Sequence, residues 1–329
     1  MATLKEWTAG ARLRTLPMAV APVLIGAAAV FGQPQPYTFG WLESHDDAPE
    51  QIFTGTVTLH IVVALLALIV SLALQVGVNY ANDYSDGVRG TDDERVGPMR
   101  LTGSGAAEPH QVRAAAFGSF GVAGLAGLII VVLTGQWWLL GAGVICVLAA
   151  WWYTGGSKPY GYLGLGEIMV FVFFGLVATL GTSYAMVEVA ETRGVSMEFP
   201  LAGALIGAVS HGLIASALLM ANNVRDIPTD RESGKMTLAV RLGQGRARSS
   251  YALMVVIAVT LPLALMLQGP QSLWFLLVVA SWPLCIRPIG IMVRRPQPAR
   301  GPELIPVLQQ TGTIGLAFAA TYSAALLLS

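Results

Sequence analysis

Apolar residues fill this chain in blocks of membrane length, separated by polar intervals that are mostly short. Nine blocks stand out, at about 12–31, 59–79, 113–134, 137–154, 166–187, 199–221, 250–268, 271–292 and 304–328. A helix needs roughly 20 apolar residues to cross the hydrocarbon core of a bilayer. The pattern therefore predicts an all-α fold, a polytopic bundle of nine transmembrane helices forming one domain over residues 1–329. The first block follows Lys5, Arg12 and Arg14, an arrangement that imitates a signal peptide. Eight further blocks follow it, so it is read as the first helix of the bundle.

Composition points the same way. Hydrophobic residues make up 54% of the chain and charged residues 12%, with a mean hydropathy of +0.64. Soluble domains carry about 25% charged residues, so a soluble globular class is excluded. The 19 basic and 19 acidic residues cancel, and their distribution is more informative than their sum. With the N-terminus in the cytoplasm and nine crossings, 18 of the 19 Lys and Arg residues fall inside and only Arg193 outside. The outer intervals are acidic, with Glu43, Asp46, Asp47 and Glu50 in one and Glu188, Glu191 and Glu198 in another. This positive-inside pattern places the C-terminus outside. Cys146 and Cys285 lie in apolar blocks with no CxxC or histidine partner and are read as core residues. Nothing in the charge pattern points to nucleic acid or to an obligate protein partner.

Two polar clusters interrupt the apolar background, in the inner intervals of roughly 80–112 and 222–249. One reads Asn79-Tyr-Ala-Asn82-Asp83-Tyr-Ser-Asp86 and runs on to Asp92 and Asp93; the other reads Asn222-Asn223-Val-Arg225-Asp226-Ile-Pro-Thr-Asp230. Each places Asn four residues before Asp, with a further Asp three or four residues on. Helical spacing puts Asn79, Asp83 and Asp86 near one face, and likewise Asn222, Asp226 and Asp230, with Pro228 expected to loosen the backbone between the last two. Neighbouring carboxylates repel unless a cation intervenes, and hard oxygen donors of this kind suit Mg²⁺ together with phosphate oxygens. The clusters close the second and sixth blocks, which suggests diverged four-helix halves over about 12–154 and 166–292, plus a ninth helix at 304–328. The glycines of Gly161-Tyr-Leu-Gly164-Leu-Gly166 follow no strand and are not read as a dinucleotide site.

Four stretches carry a resemblance: RLRTLPMAVAPVLIG (12–26), QVGVNYANDYSDGVRGTDD (75–93), YTGGSKPYGYLGLGE (153–167) and NNVRDIPTDRESGKMTLAVRLG (222–243). In these the chain resembles the UbiA superfamily of intramembrane aromatic prenyltransferases, and within it the branch acting on 1,4-dihydroxy-2-naphthoate. Many superfamily members have a third Asp where this chain has Gly90, with Asp92 two residues later. That departure favours the naphthoate branch over the 4-hydroxybenzoate branch. The resemblance implies Mg²⁺ as cofactor, with polyprenyl diphosphate and 1,4-dihydroxy-2-naphthoate as substrates in a membrane-lipid setting. It implies Asn79, Asp83, Asp86, Asn222, Asp226 and Asp230 as the metal–diphosphate residues.

Basic and aromatic residues complete the expected site. Lys158, Arg14, Arg225 and Lys235 are candidates to neutralise a departing diphosphate, and Arg241 lies close behind them. Tyr153, Tyr160 and Tyr162 flank Lys158, where aromatic faces stabilise an allylic cation or anchor the chain at the membrane interface. Asp83, Asp226 and Lys158 are expected to act in the chemistry itself. Glu167 is expected either to favour its helix dipole or to orient Lys158, and His211 to bond between helices. The expected reaction is ionisation of the polyprenyl diphosphate, attack by the naphthoate ring and loss of its carboxylate as CO₂, giving demethylmenaquinone. The rival readings are another aromatic acceptor, such as 4-hydroxybenzoate or homogentisate, and a cation-coupled transporter.

Overall fold

The computed structural model describes residues 2–33, 48–90, 99–294 and 299–329. Asp92, Asp93, Glu43, Asp46 and Asp47 lie outside these. Among the described residues every regular element is helical. The order is α1 (Leu4–Gly10), α2 (Pro17–Phe31), α3 (Ala48–Val88), α4 (Pro109–Thr134), α5 (Trp138–Trp152), α6 (Gly166–Val170), α7 (Ala178–Glu191), α8 (Leu201–Glu232), α9 (Leu238–Thr260), α10 (Trp282–Val293) and α11 (Ile305–Leu328). A π-helical stretch joins α6 to α7, and 3₁₀ turns extend α9 and lead into α10 and α11. The backbone of a lipid-embedded segment must satisfy its own hydrogen bonds, and continuous helix does so.

Among the described residues, seven helical stretches are long and apolar enough to cross a membrane. The pair Leu4–Thr15 and Pro17–Phe31, bent by 49°, supplies one more when taken as one span. The fourth apolar block is α5, of 15 residues. At 1.5 Å per residue it is roughly 22 Å long, against a hydrocarbon core of about 30 Å. Its contacts nevertheless join opposite ends of the bundle. At its start, Trp138 donates to the hydroxyl of Tyr184, midway along α7, at 3.2 Å, and Gln136 just before it donates to Glu188, near the end of α7, at 2.6 Å. Past its other end, Thr154 donates to Asn82, near the end of α3, at 2.7 Å. Beyond the same end, Tyr162 bonds Asp86 of α3 and its ring centroid lies 5.1 Å from the ammonium of Lys235 just past α8, so the C-terminal ends of α3 and α8 share one end of the bundle.

Burial also differs from the sequence pattern in one respect. The two polar clusters were expected in loops, yet α3 continues to Val88 and α8 to Glu232. The cluster residues Asn79, Asn82, Asp83, Asp86, Asn223, Asp226 and Asp230 are buried against other elements, so leaving the helix would expose backbone groups with nothing to bond. Pro228 sits inside α8 without ending it. Gly90 ends α3 instead, with φ +72°, a left-handed conformation that disfavours Asp at that place.

The largest core packs α8, α9 and α11, with Tyr251, Phe318 and Tyr322 fully buried. Small residues set the closest approach: a Cβ on Gly175 would lie 2.6 Å from the Gly212 Cα of α8. His211 bonds the Met18 carbonyl at 3.0 Å and so joins α8 to α2. Cys146 and Cys285 are free thiols.

Candidate active site

At the shared end of α3 and α8 the bundle encloses a cavity of about 650 Å³. On α3, Gln75, Asn79, Asn82 and Asp86 line it, following the helical spacing of three and four. The Asn79 amide donates to the Ala11 carbonyl at 2.9 Å and the Thr15 hydroxyl at 3.1 Å, tying α3 to the elbow before α2. Asp86 accepts the Tyr162 hydroxyl at 2.8 Å and lies 3.6 Å from an Arg100 nitrogen.

Asp83 does not line the cavity. It lies about 40° around the helix from Asn79, on the flank away from Asn82. There its carboxylate accepts the backbone N–H groups of Leu101 at 2.8 Å and Thr102 at 2.9 Å. Asp83 thus holds the segment that carries Arg100, and Arg100 reaches back to Asp86.

On α8, Asn222 and Asn223 line the cavity. Arg225 grips both oxygens of its neighbour Asp226, at 2.6 and 2.7 Å. Asp230 lies 3.8 Å from the Lys235 ammonium and accepts the Thr237 hydroxyl at 3.5 Å. Asp83, Asp86, Asp226 and Asp230 are all buried, and ion pairs or hydrogen bonds offset part of the desolvation cost.

The segment between α5 and α6 roofs the cavity. Arg89, just past α3, donates to the carbonyls of Thr154 and Gly156. Both Arg89 and Lys235 stand near the ring of Tyr162, at 5.5 and 5.1 Å from its centroid. Tyr153 and Tyr160 line the cavity, edge to face with centroids 5.5 Å apart. Burial raises the Tyr160 hydroxyl above the usual tyrosine range, and it donates to the Ala149 carbonyl at 2.7 Å.

The cations divide differently from the sequence expectation. Lys235 lines the cavity, but Lys158 and Arg14 are exposed and do not, and Arg225 is held by Asp226. Arg12 and Arg100 line it instead. Arg12 lies two positions from the expected Arg14 and adopts a left-handed conformation, with φ 52°. Arg100 sits in a polar stretch with no periodicity to mark it. Asn82 and Asn223 belong to the clusters, and helix phase alone singles them out. Arg241 donates to the Met236 carbonyl at 3.2 Å, away from the cavity lining. Glu167 bonds Asn223 at 2.9 Å, and Lys158 is not its partner.

Comparison with known proteins matches this arrangement. The profile of the UbiA prenyltransferase family covers residues 52–305. The chain belongs to that family. A 1,4-dihydroxy-2-naphthoate octaprenyltransferase of Mycobacterium tuberculosis is 44% identical over 99% of this chain and 98% of its own length. The protein of the same description from Escherichia coli is 33% identical over 93% and 90%. Solved structures share the fold. A UbiA homolog from Aeropyrum pernix K1 aligns over 94% of this chain and 96% of its own, with a TM-score of 0.61 at 13% identity. One from Archaeoglobus fulgidus, bound to DMAPP and Mg²⁺, aligns over 96% and 98%, with a TM-score of 0.53 at 18% identity. This chain is accordingly a multi-pass membrane prenyltransferase.

A UbiA-family site implies a divalent metal, and the donor chemistry here fits one. Among the described residues no three carboxylate, histidine or cysteine groups converge to enclose an ion. Asn79 and Asp86 of α3 and Asn222 of α8 nonetheless line the cavity with side chains that carry hard oxygen atoms. Mg²⁺ favours one or two carboxylates completed by substrate phosphates over an all-protein cage.

Proposed function

We propose that this protein transfers a polyprenyl group from polyprenyl diphosphate to 1,4-dihydroxy-2-naphthoate. The ring carboxylate leaves as CO₂ and diphosphate departs, so demethylmenaquinol forms; its later two-electron oxidation, outside this reaction, gives demethylmenaquinone, a step of menaquinone biosynthesis. The observation that carries this reading is the end-to-end similarity to 1,4-dihydroxy-2-naphthoate octaprenyltransferases, at 44% identity, together with a polar-mouthed apolar cavity.

Asp86, Asn79 and Asn222 would hold Mg²⁺, which supplies charge neutralisation for the leaving diphosphate. Asp226 and Asp230, held in this structure beside Arg225 and Lys235, would be the α8 carboxylates for the same ion–diphosphate group. Arg12, Arg100 and Lys235 donate to phosphate oxygens as charge gathers on them. Asp83 acts through the backbone of Leu101 and Thr102, positioning Arg100. Lys158 and Arg14, exposed, contribute long-range attraction for the anion. The rings of Tyr153 and Tyr160 face the allylic cation, and their hydroxyls remain protonated. Apolar residues deeper in the cavity, such as Val131, Leu139 and Phe174, receive the isoprenoid tail and exclude water.

The site faces the cytoplasm of the cell membrane, since nine alternating crossings with an inner N-terminus put nearly all basic residues inside. Duplication of a four-helix half accounts for the paired clusters; α3 and α8 each pack most extensively on the next helix in sequence. A menaquinone-deficient strain lacking its own dihydroxynaphthoate prenyltransferase tests the reading. Expression of this chain restores menaquinone; failure by a stably inserted protein contradicts it.

A further inference from the structure

Behind the cavity wall, at the first turn of α6, Glu167 is only 5% exposed. One carboxylate oxygen accepts the Asn223 amide nitrogen at 2.9 Å; the other is buried without a partner. The Ser216 hydroxyl donates to the Glu167 carbonyl at 2.8 Å and pins this turn to α8. In its ionised form Glu167 can only accept, so the Asn223 nitrogen faces it, as found here, and the amide oxygen turns away. Asn223 lines the cavity, and its oxygen is not among the enclosed atoms left without a partner. That oxygen is therefore presented to the cavity as a fixed acceptor. Glutamine at 167 could also receive the amide nitrogen, but it could equally flip and reverse the polarity. Only the carboxylate enforces one orientation, at the cost of a buried oxygen left unpaired.

An ionised diphosphate offers no donor to such an oxygen. A phenol does, and it can also accept from a neighbouring hydroxyl. Tyr153 lines the cavity near the same turn: a Cβ on Gly166, next to Glu167, would lie 3.4 Å from the Tyr153 oxygen. We propose that Asn223, held in one orientation by Glu167, accepts a hydrogen bond from a ring hydroxyl of the acceptor and selects for hydroxylated arenes. Asn223 is then a specificity residue and Glu167 its positioning residue. The inference rests on the aromatic-acceptor reading above.

The test uses purified full-length protein with Mg²⁺, a polyprenyl diphosphate, and either 1,4-dihydroxy-2-naphthoate or its two mono-O-methyl ethers. Wild type is expected to lose about tenfold in kcat/KM with one ether, the cost of an unmade hydrogen bond. Asn223→Ala is expected to raise KM for the parent acceptor about tenfold and to discriminate no further against that ether. Its KM for the diphosphate and its Mg²⁺ requirement stay unchanged. Glu167→Gln raises the acceptor KM less and leaves the diphosphate KM alone. The proposal is overturned if wild type uses both ethers as well as the parent, a comparison that needs no variant to fold. It is also overturned if Asn223→Ala shifts the diphosphate KM or the Mg²⁺ requirement instead. A wild-type protein that prenylates no parent acceptor refutes the aromatic-acceptor reading itself, and this inference with it.

Discussion

The Asp83 carboxylate accepts the backbone N–H of Thr102 at 2.9 Å, while its other oxygen accepts that of Leu101 at 2.8 Å. This clasp spans 19 residues and fixes the stretch from which Arg100 reaches Asp86. An aspartate in a polar motif thereby shapes the site from outside the cavity.

Asp83→Asn replaces one accepting oxygen with a donor, facing a backbone N–H that then has no partner. Leaving a buried donor unpaired costs about 1–3 kcal/mol. Thermal unfolding of the purified variant is expected at a clearly lower temperature, with reduced turnover. Asp86→Asn is expected to reduce turnover at least as much with a smaller change in Tm. Equal Tm and turnover for Asp83→Asn and wild type would contradict the clasp.

Tyr162→Phe deletes the 2.8 Å bond to Asp86 and keeps the ring near Lys235 and Arg89. A hydrogen bond to a charged group is worth about 1.5–3 kcal/mol, so KM for the polyprenyl diphosphate should rise by tenfold or more. Steady-state kinetics with varied diphosphate measure it. Tyr162→Leu, which also removes the ring, should be worse.

Arg12 and Arg14 are close in sequence and opposite in expected effect. A left-handed backbone costs a non-glycine residue roughly 1–2 kcal/mol, and Arg12 adopts it with φ 52° and ψ 59°. Arg12→Gly should therefore keep or raise Tm while lowering kcat/KM by about tenfold or more, since a cation leaves the cavity. Arg14→Gln, at an exposed position, should change kcat/KM by no more than about twofold.

Tyr160 provides a pH test outside the membrane spans. Burial holds its folded pKa above the unfolded value of about 10. A group raised in this way contributes its stability fully below the unfolded pKa and loses it as pH rises beyond. Wild-type Tm should show no Tyr160 step between about pH 6 and 9, then decline above about 10. Tyr160→Phe should lessen that decline.

Apolar blocks of membrane length made the helical bundle legible, because a segment in lipid must satisfy its own backbone hydrogen bonds as helix. The ends of α3 and α8 were less legible: polar residues mark a loop on a hydropathy trace, yet here they are buried and helical. The site was readable where chemistry and helix phase coincide, as at Asn79, Asp86 and Asn222. It was obscure where a distant segment supplies the group. Arg100 enters the cavity only because Asp83 holds its neighbours, and no local pattern encodes that. Arg12 displaced Arg14 through a single left-handed residue. Lys158 stood out by its motif, but the roof turns it to solvent.

Product analysis by mass spectrometry most directly tests the central claim. Purified protein is incubated with octaprenyl diphosphate, 1,4-dihydroxy-2-naphthoate and Mg²⁺, with a chelator-treated control. The account predicts a lipid with the mass of demethylmenaquinol, or of demethylmenaquinone once air has oxidised it during extraction, lacking the ring carboxylate and absent from the control. A folded protein yielding neither prenylated naphthoquinol nor naphthoquinone, or one that yields them equally without divalent metal, would contradict it.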